Sequence, residues 1–591
     1  MTEPPDRAIH SASIRRANGI LANTIAKTLW LAGCHRAVVA PGSRSTPLVL
    51  AFAACGFDLH VVHDERSGAF VALGIGRATE APGVIITTSG TATANLFPAI
   101  VEAAADHVPM LVLTADRPLE LVGSGANQTI AQHGMYGSHV LRSHDLSPCN
   151  TTAERHIEAR VRDAWTMAHL ERGPVHINVR FDKPLEIDVP IGTGTLPVQR
   201  RDNASILRSS SPGHWSHRAV QANMLPSTVM NADSIVVGRL TTLSEIAAAR
   251  RIVTALGVPT HATITSGMRD ANGNNLPKTV FLDDIDSILE HEELTRSLLG
   301  ERVLWLGGPV VSARLAEHLV NSSSTVCRIG LADGDGNDTA GEVVQVPLES
   351  IAEVIEAAAA NATANVARRC DAIDLGRAIG TALGSLEPPL EAQIARCVVA
   401  STSGSDALVL ANSSPIRDVD RFVSSVEASR SFCNRGVSGI DGTLSTAYGI
   451  ALTSERTVTV LTGDLSFLHD SGSLSAMDAS IRMRIVVIDN DGGGLFDRLP
   501  IATCTDYREV FERCIVAPHH TDLVRLVVSH GFVARHVETI EELEAALRQD
   551  VQKIEVLVCP TDRASERSAR AHFRDAARIA LADIGRENPG P

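Results

Sequence analysis

Between residues 20 and 190, short apolar runs give way repeatedly to Gly/Ser/Pro turns and then to stretches with helical spacing. The segments are RAVVAPGSRSTPLVLAFAA, GVIITTSGTATANLFPAIVEAA, VPMLVLTADRP and GPVHINVRF. Val- and Ile-rich runs of this length, bounded by turn residues, read as buried strands, and the periodic segments between them as helices. Their alternation predicts a parallel sheet covered by helices on both faces. In open sheets of this kind ligands bind beyond the C-terminal ends of the strands, where the loops follow.

The rhythm fails over 191–232, where Pro, Ser, Gly and Asn accumulate and predict a connector. It returns in ADSIVVGRL, VTALGVPTHATI, TVFLDDIDSILE, RVLWLGGPVV and TVCRIG, then fades in the alanine-rich AEVIEAAAANATANVARRC. A third block repeats the theme with DALVLANSS, STAYGIALTSERTVTVLTGDLSF, MRIVVIDNDGGG and KIEVLVCP. The expected fold class is α/β, with three doubly wound parallel-sheet domains at 1–190, 233–365 and 366–591 and the connector at 191–232. Length agrees, because 591 residues exceed the roughly 250–300 at which a single core stops growing.

Composition narrows the function classes. Hydrophobic residues make up 44% and charged residues 20%, an ordinary globular balance. No run approaches the roughly 18 apolar residues that a membrane helix needs. The N-terminal MTEPPDRAIHSASIRRANG lacks the basic start and apolar centre of a secretory signal, so the cytoplasm is the expected address. Ten cysteines without a C-x-x-C pair suggest neither a structural zinc site nor a disulfide framework. A net charge of −15 argues against nucleic acid and anionic membrane as partners, and leaves small anions wherever arginines converge.

The strongest chemical signal is GDLSFLHDSGSLSAMDASIRMRIVVIDNDGGGLF, residues 463–496. Two predicted strands end there, one at Gly463-Asp464 and one at Asn490, and neighbouring parallel strands would bring both polar side chains together. A carboxylate, an amide oxygen and a backbone carbonyl, with Gly492 the candidate for the last, are hard oxygen donors of the kind Mg²⁺ takes, completed by water and substrate phosphate. The glycines permit unusual backbone angles and close approach to a diphosphate. Alone, a G-D followed by N-x-G serves equally well as a pair of ordinary strand-end turns. Other strings decide the matter.

In this register the G-D…N pair resembles the cofactor motif of thiamine diphosphate (ThDP)-dependent enzymes, although Leu465 stands where those usually have the second glycine of G-D-G. APGSRSTPL (40–48), HDERSGAFVALG (63–74), ADRP…GANQTI (115–130) and NRGVSGIDGTLSTA (434–447) resemble the menaquinone-pathway branch of that family. The resemblance implies an N-terminal pyrimidine-binding domain, a middle domain and a C-terminal diphosphate-binding domain. It implies ThDP and Mg²⁺ (or Mn²⁺) as cofactors, with Asp464, Asn490 and Gly492 on the metal. Leu465, Ser466, Gly493, Ile440, Leu495 and Phe496 would contact the cofactor. Glu65 would be the catalytic carboxyl group, hydrogen-bonded to the aminopyrimidine so that the cofactor can lose its C2 proton.

The implied reaction is decarboxylation of 2-oxoglutarate and conjugate (1,4) addition of the four-carbon fragment to isochorismate, giving a 2-succinyl cyclohexene carboxylate and CO₂. Both substrates are dicarboxylates, which suits arginine's planar fork. Family matching assigns substrate contacts to Ser43, Arg44, Arg117, Asn127, Gln128, Ser413, Arg417, Arg435 and Leu499. In GGPVVSARL, Ala313 replaces a lysine that some members carry, leaving Arg314 as the candidate there. The resemblance also implies a homodimer or homotetramer whose active sites are shared between subunits. Two alternatives stay open: a related 2-oxo acid decarboxylase or acetolactate-type synthase, and a catalytically silent ThDP-fold regulatory protein.

Two weaker motifs are set aside. LGIGRATE has Thr79 where a dinucleotide fingerprint needs its third glycine. ADGDGNDTAGEV starts like a calcium loop at Asp333, Asp335 and Asn337, but Asp338 and Val344 occupy the Gly and Glu positions, so it is read as a polar surface turn.

Overall fold

The computed structural model describes residues 5–148, 154–188, 225–269, 281–330, 341–360, 366–404, 406–426, 428 and 430–587. Residues 191–224 of the connector lie outside these, as do Asp333, Asp335, Asn337 and Asp338 of the polar turn. Within the remainder of the connector Ser227–Met230 forms a short helix.

Three all-parallel sheets organise the chain. The first contains β1 (Arg36–Val39), β2 (Asp58–Val61), β3 (Gly83–Thr87), β4 (Met110–Asp116), β5 (Arg142–Leu146) and β6 (Pro174–Arg180), in the order β2-β1-β3-β4-β6-β5. The second contains β7 (Ser234–Val237), β8 (Thr260–Ala262), β9 (Arg302–Leu306), β10 (Thr325–Ile329) and β11 (Glu342–Val344), in the order β11-β10-β9-β7-β8. The third contains β12 (Ala407–Leu410), β13 (Arg430–Phe432), β14 (Val458–Gly463), β15 (Met483–Asp489), β16 (Val533–His536) and β17 (Glu555–Pro560), in the order β13-β12-β14-β15-β17-β16. The first and third sheets therefore share one topology. In each, the order reverses beside the first strand, which opens a crevice at the strands' C-terminal ends.

Central strands are buried on both faces: every residue of β3, β4 and β6 is buried, β3 as an apolar run and β6 with His176, Asn178 and Arg180 buried among its apolar residues. Edge strands differ. β5, β11, β13 and β16 carry polar, half-exposed sequences, and none stands out in the hydrophobic pattern. The β11 strand corrects one expectation, because Glu342–Val344 belongs to a sheet edge pairing with β10 and not to a surface turn. A second correction concerns the alanine-rich stretch, which forms two helices, Leu348–Ala360 and Val366–Gly384. Alanine gives little periodic contrast, yet it is the best helix former.

By contacts the chain divides into two compact units, one of Met1–Trp215, Asn434–Glu455 and Phe467–Ile481, the other of Ser216–Cys433, Arg456–Ser466 and Arg482–Pro591. The first unit is cored by the inner faces of β1, β3, β4 and β6 against Leu21, Ile25, Leu29 and Phe52. The second holds the remaining two sheets, each with its own buried apolar layer. In the first unit the helix Glu65–Thr79 packs on the helix Thr443–Ala451 at close range. A side chain at Gly74 would place its Cβ 2.1 Å from the Thr446 carbonyl oxygen, so this glycine serves helix contact. Among the described residues no helix is long and apolar enough to cross a membrane.

Candidate active site

In the first unit the reversal point lies between β1 and β3. The turn after β1 carries Gly42-Ser43-Arg44, and the turn after β3 carries Thr88-Ser89-Gly90. The Arg44 backbone N–H reaches Thr88 Oγ1 at 3.3 Å, and its guanidinium is buried, donating to the Phe181 carbonyl at 2.8 Å. Arg117, just beyond β4, is also buried and donates to Ser89 Oγ and, at 2.6 Å, to the Gln128 carbonyl. Gln128 adopts φ +57° and donates from Nε2 to the Ser89 carbonyl at 2.8 Å. Arg44, Arg117 and Gln128 are thus tied to one pair of turns. Ser43 and Asn127 are exposed in the same loops.

The acceptors that hold these two arginines by hydrogen bonds are neutral, while Asp182 and Asp116 act on Arg44 from farther off. Burial, and then the nearby Arg117 guanidinium, push the Arg44 pKa down. Two cations crowded in this way are prepared for an anion.

Glu65 opens the helix Glu65–Thr79. Asp64 caps that helix by accepting the backbone N–H groups of Arg66 and Ser67, which fixes where Glu65 leaves the chain. The Glu65 carboxylate is half-buried and accepts one hydrogen bond, from Asn95 Nδ2 at 3.1 Å.

Arg435 and Ile440 lie on the loop leading into Thr443–Ala451, which folds with the first unit. The flanking backbone is held by Glu102, whose carboxylate accepts the N–H groups of Gly436 and Val437, each at 2.8 Å, and pairs with Arg77 at 3.2 Å. Burial, with Asp106 adding to it, raises the Glu102 pKa to about 7. Nothing in the local pattern around Glu102 distinguishes it from the rest of its helix.

In the second unit the corresponding reversal point lies between β12 and β14. Asp464 follows β14 and is buried; its Oδ2 accepts the backbone N–H groups of Asn490 at 3.2 Å and Gly492 at 2.8 Å. The pairing β14–β15 sets this register, with Gly463 opposite Ile488. Asp464, Asn490 and Gly492 therefore do come together. Burial raises the Asp464 pKa to about 6 despite those donors, the environment of a carboxylate short of positive charge.

The Asn490 side chain sharpens this. Its Nδ2 donates to the buried Glu391 at 2.8 Å, while its Oδ1 is buried and has no hydrogen-bond partner among the described residues. An orphaned amide oxygen beside an under-compensated carboxylate is a ready oxygen pair for a divalent cation. Gly492 has φ +134°, and a Cβ there would come within 2.6 Å of the Val516 carbonyl oxygen. Only glycine fits this turn.

Two further groups join the cluster. His519 Nε2 lies 3.3 Å from Asp464 and 3.6 Å from Asp489, and one ligand atom from each of the three falls within 4.8 Å of the others. Neither Asp489 nor His519 is among the sequence-predicted site residues: Asp489 stands in VIDND one residue before Asn490, and His519, 55 residues beyond Asp464, carries no local signal. Leu465 and Ser466 begin the helix Asp464–Asp470, and Gly493, Leu495 and Phe496 continue the glycine turn.

On the turn after β12, Ser413 adopts φ +74°, and its carbonyl accepts Arg417 Nη1 at 2.8 Å. Arg314 and Arg417 both line a cavity of about 510 Å³. The Arg314 guanidinium is taken up by Glu290 and by the Asp286 carbonyl at 3.0 Å. Leu499 is 45% exposed.

Known protein families and relatives match the chain. Residues 20–135 match the model of the thiamine pyrophosphate enzyme N-terminal TPP binding domain, and residues 417–559 that of the C-terminal TPP binding domain. A Halobacterium salinarum protein named 2-succinyl-5-enolpyruvyl-6-hydroxy-3-cyclohexene-1-carboxylate synthase is 34% identical over 593 aligned positions, covering 95% of this chain and 98% of its own. Proteins of the same name from Myxococcus xanthus and Chlorobium phaeobacteroides are 34% and 31% identical, covering 90% and 87% of this chain and 93% and 89% of their own.

Proposed function

The chain belongs to the 2-succinyl-5-enolpyruvyl-6-hydroxy-3-cyclohexene-1-carboxylate synthase family of thiamine pyrophosphate enzymes, and from that membership we propose how its residues divide the work. It is a ThDP-dependent transferase that forms a C–C bond in menaquinone biosynthesis. The substrates assigned are 2-oxoglutarate and isochorismate. Thiamine diphosphate, when bound, supplies the electron sink that lets the 2-oxo acid lose CO₂.

The protein's own residues supply position and charge. Asp464, the Asn490 amide oxygen and the Gly492 carbonyl would hold Mg²⁺ or Mn²⁺ and, through it, the diphosphate; these hard oxygens suit either ion better than the His519 nitrogen does. Leu465, Ser466 and Gly493 would line the diphosphate, and Ile440, Leu495 and Phe496 the apolar rings. Glu65 would hold a proton at N1′ of the aminopyrimidine. Arg44, Arg117, Gln128, Arg417 and Arg435 would take the substrate carboxylates, with Ser43, Asn127, Ser413 and Leu499 as further substrate contacts. Arg314, already neutralised by Glu290, contributes wall more than charge.

Three domains at 1–190, 233–365 and 366–591, joined by a 191–232 connector, are the division we assign; the three separate sheets support it. A homodimer or homotetramer with shared sites follows the family pattern. The free thiols at Cys34, Cys327 and Cys559, among others, support a reducing compartment such as the cytoplasm.

One observation carries the cofactor assignment: the buried Asp464 gathers the Asn490 and Gly492 backbone while Asn490 Oδ1 stays unpaired. The direct test is product formation from 2-oxoglutarate and isochorismate with and without ThDP and Mg²⁺. Release of CO₂ from pyruvate but not from 2-oxoglutarate would move the assignment to an acetolactate-type synthase.

A further inference from the structure

The cavity beside Arg417 is lined by more arginines than the substrate assignment uses, and they differ in how well their charge is met. Arg421 pairs with Asp284 at 2.6 Å and Arg563 with Glu512 at 2.9 Å. Arg570 holds both oxygens of Asp418 at 2.8 Å and reaches Glu391 at 3.0 Å. Arg567 reaches Asp497 only at 3.8 Å, and Arg498 is met no better. Its contacts among the described residues are long, 3.5 Å to Ser414 Oγ and 3.7 Å to Asp418 Oδ1. That Asp418 oxygen is already committed to Arg570 at 2.8 Å, so it offers Arg498 little. The Arg498 side chain is 36% exposed while lining the cavity, which leaves its planar donor fork accessible.

Position adds to pairing. Arg417 Nη1 bonds the Ser413 carbonyl and Arg498 Nη2 faces the Ser414 hydroxyl, so both guanidinium groups converge on one turn beyond β12. Arg498 also sits at the far end of the loop whose glycine turn meets Asp464.

We infer that Arg498 is a substrate-binding residue, holding the carboxylate of the 2-oxo acid remote from the keto carbon and selecting dicarboxylic over monocarboxylic 2-oxo acids. The inference rests on the function proposed above. The carboxyl group beside the keto carbon departs as CO₂, so lasting binding energy must come from the one that stays. A guanidinium with its fork open toward a cavity of about 510 Å³ suits a five-carbon dicarboxylate.

The test uses holoenzyme loaded with ThDP and Mg²⁺ and titrated with glutarate, a dicarboxylate without a keto group, in a calorimeter. Arg498→Gln is expected to weaken glutarate about tenfold and to raise KM for 2-oxoglutarate by a similar factor, with kcat within about threefold. Arg498→Lys, which keeps the charge and loses the fork, is expected to recover part of the affinity. Unchanged glutarate affinity in Arg498→Gln, with wild-type enzyme making product, overturns this inference alone. Equal losses in both variants together with a lowered unfolding midpoint also overturn it, since they mark a packing role. A wild-type enzyme that makes no product from 2-oxoglutarate and isochorismate overturns the proposed function and this inference with it.

Discussion

The first and third sheets have the same strand order, reverse direction at the same place, and end in opposite chemistry. At the β1/β3 reversal the turns gather cations, Arg44 and Arg117, held by neutral carbonyl and hydroxyl oxygens. At the β12/β14 reversal the turns after β14 and β15 gather acids, Asp464 accepting backbone N–H groups with Asp489 beside it, while the turn after β12 carries Arg417. Topology supplies a crevice in both cases; the residues of a few turns decide whether it is dressed for an anion or for a cation. On the proposed function the acidic turns serve the metal that carries the diphosphate, and arginine-bearing turns serve the substrate carboxylates.

The largest effect expected from breaking this division comes from pairing defects on opposite sheets. Glu65→Gln removes the proposed proton-holding group and is expected to lower kcat by about 10²–10⁴ while leaving ThDP binding intact. Asp464→Ala is expected to abolish activity by releasing the metal. If each site joins the Glu65 of one subunit to the Asp464 of another, co-expressing the two variants in equal amounts regenerates intact sites, with about a quarter of wild-type activity in a randomly mixed dimer. Assay of co-expressed material against each variant alone checks this; no recovery means that sites are not shared. On the acidic side alone, Gly492→Ala forces the turn away from the Val516 carbonyl, and a displacement of about 1 Å there is expected to cost roughly 10²-fold in kcat/KM, with a raised Mg²⁺ requirement in a metal titration.

How far the sequence reveals these two sites follows from what each is made of. Central strands announce themselves because burial on both faces demands unbroken apolar runs, and Asp464 and Asn490 stand directly at their ends. Edge strands β5, β11, β13 and β16 stay hidden because exposure leaves them a polar composition. The partners that tune the site are hidden for another reason. Glu391, which turns the Asn490 amide, is 99 residues away, and His519 approaches Asp464 from a loop with no periodic pattern. Only packing identifies them. Gly74 is a similar case: Thr79 breaks the dinucleotide fingerprint around it, and its purpose becomes clear from the Thr446 backbone against it.

A smaller effect tests the cationic side. Arg117 is held by neutral oxygens and Arg314 by Glu290, so removing their charges should not cost the same. Arg117→Gln is expected to lower kcat/KM by about 10- to 100-fold, the loss of roughly 1.5–3 kcal/mol from a charge-assisted hydrogen bond to substrate. Arg314→Gln, which breaks a partly exposed pair, is expected to change it less than about threefold. Steady-state kinetics with both substrates decide; equal losses would show that the pairing of an arginine in the free enzyme does not predict its use.

The smallest expected effect concerns the loop that carries Arg435, which is tied into the first unit by a carboxylate instead of by a carbonyl. Glu102 accepts the Gly436 and Val437 N–H groups, and burial holds its pKa up at about 7, above the ordinary 4.5. A raised carboxyl pKa means that the folded state binds the proton more tightly than the unfolded chain does. Its stabilising contribution is therefore complete below about pH 4.5 and is lost as pH rises through about 7. Glu102→Gln cannot titrate, so the stability difference between wild type and variant should shrink, or turn in the variant's favour, as pH rises across that window. Urea unfolding of both proteins at a series of pH values measures the difference, and other titrating groups common to the two cancel. A difference that stays constant would mean that Arg77 compensates the buried charge in full, placing this loop's anchor with the evenly paired arginines of the second unit.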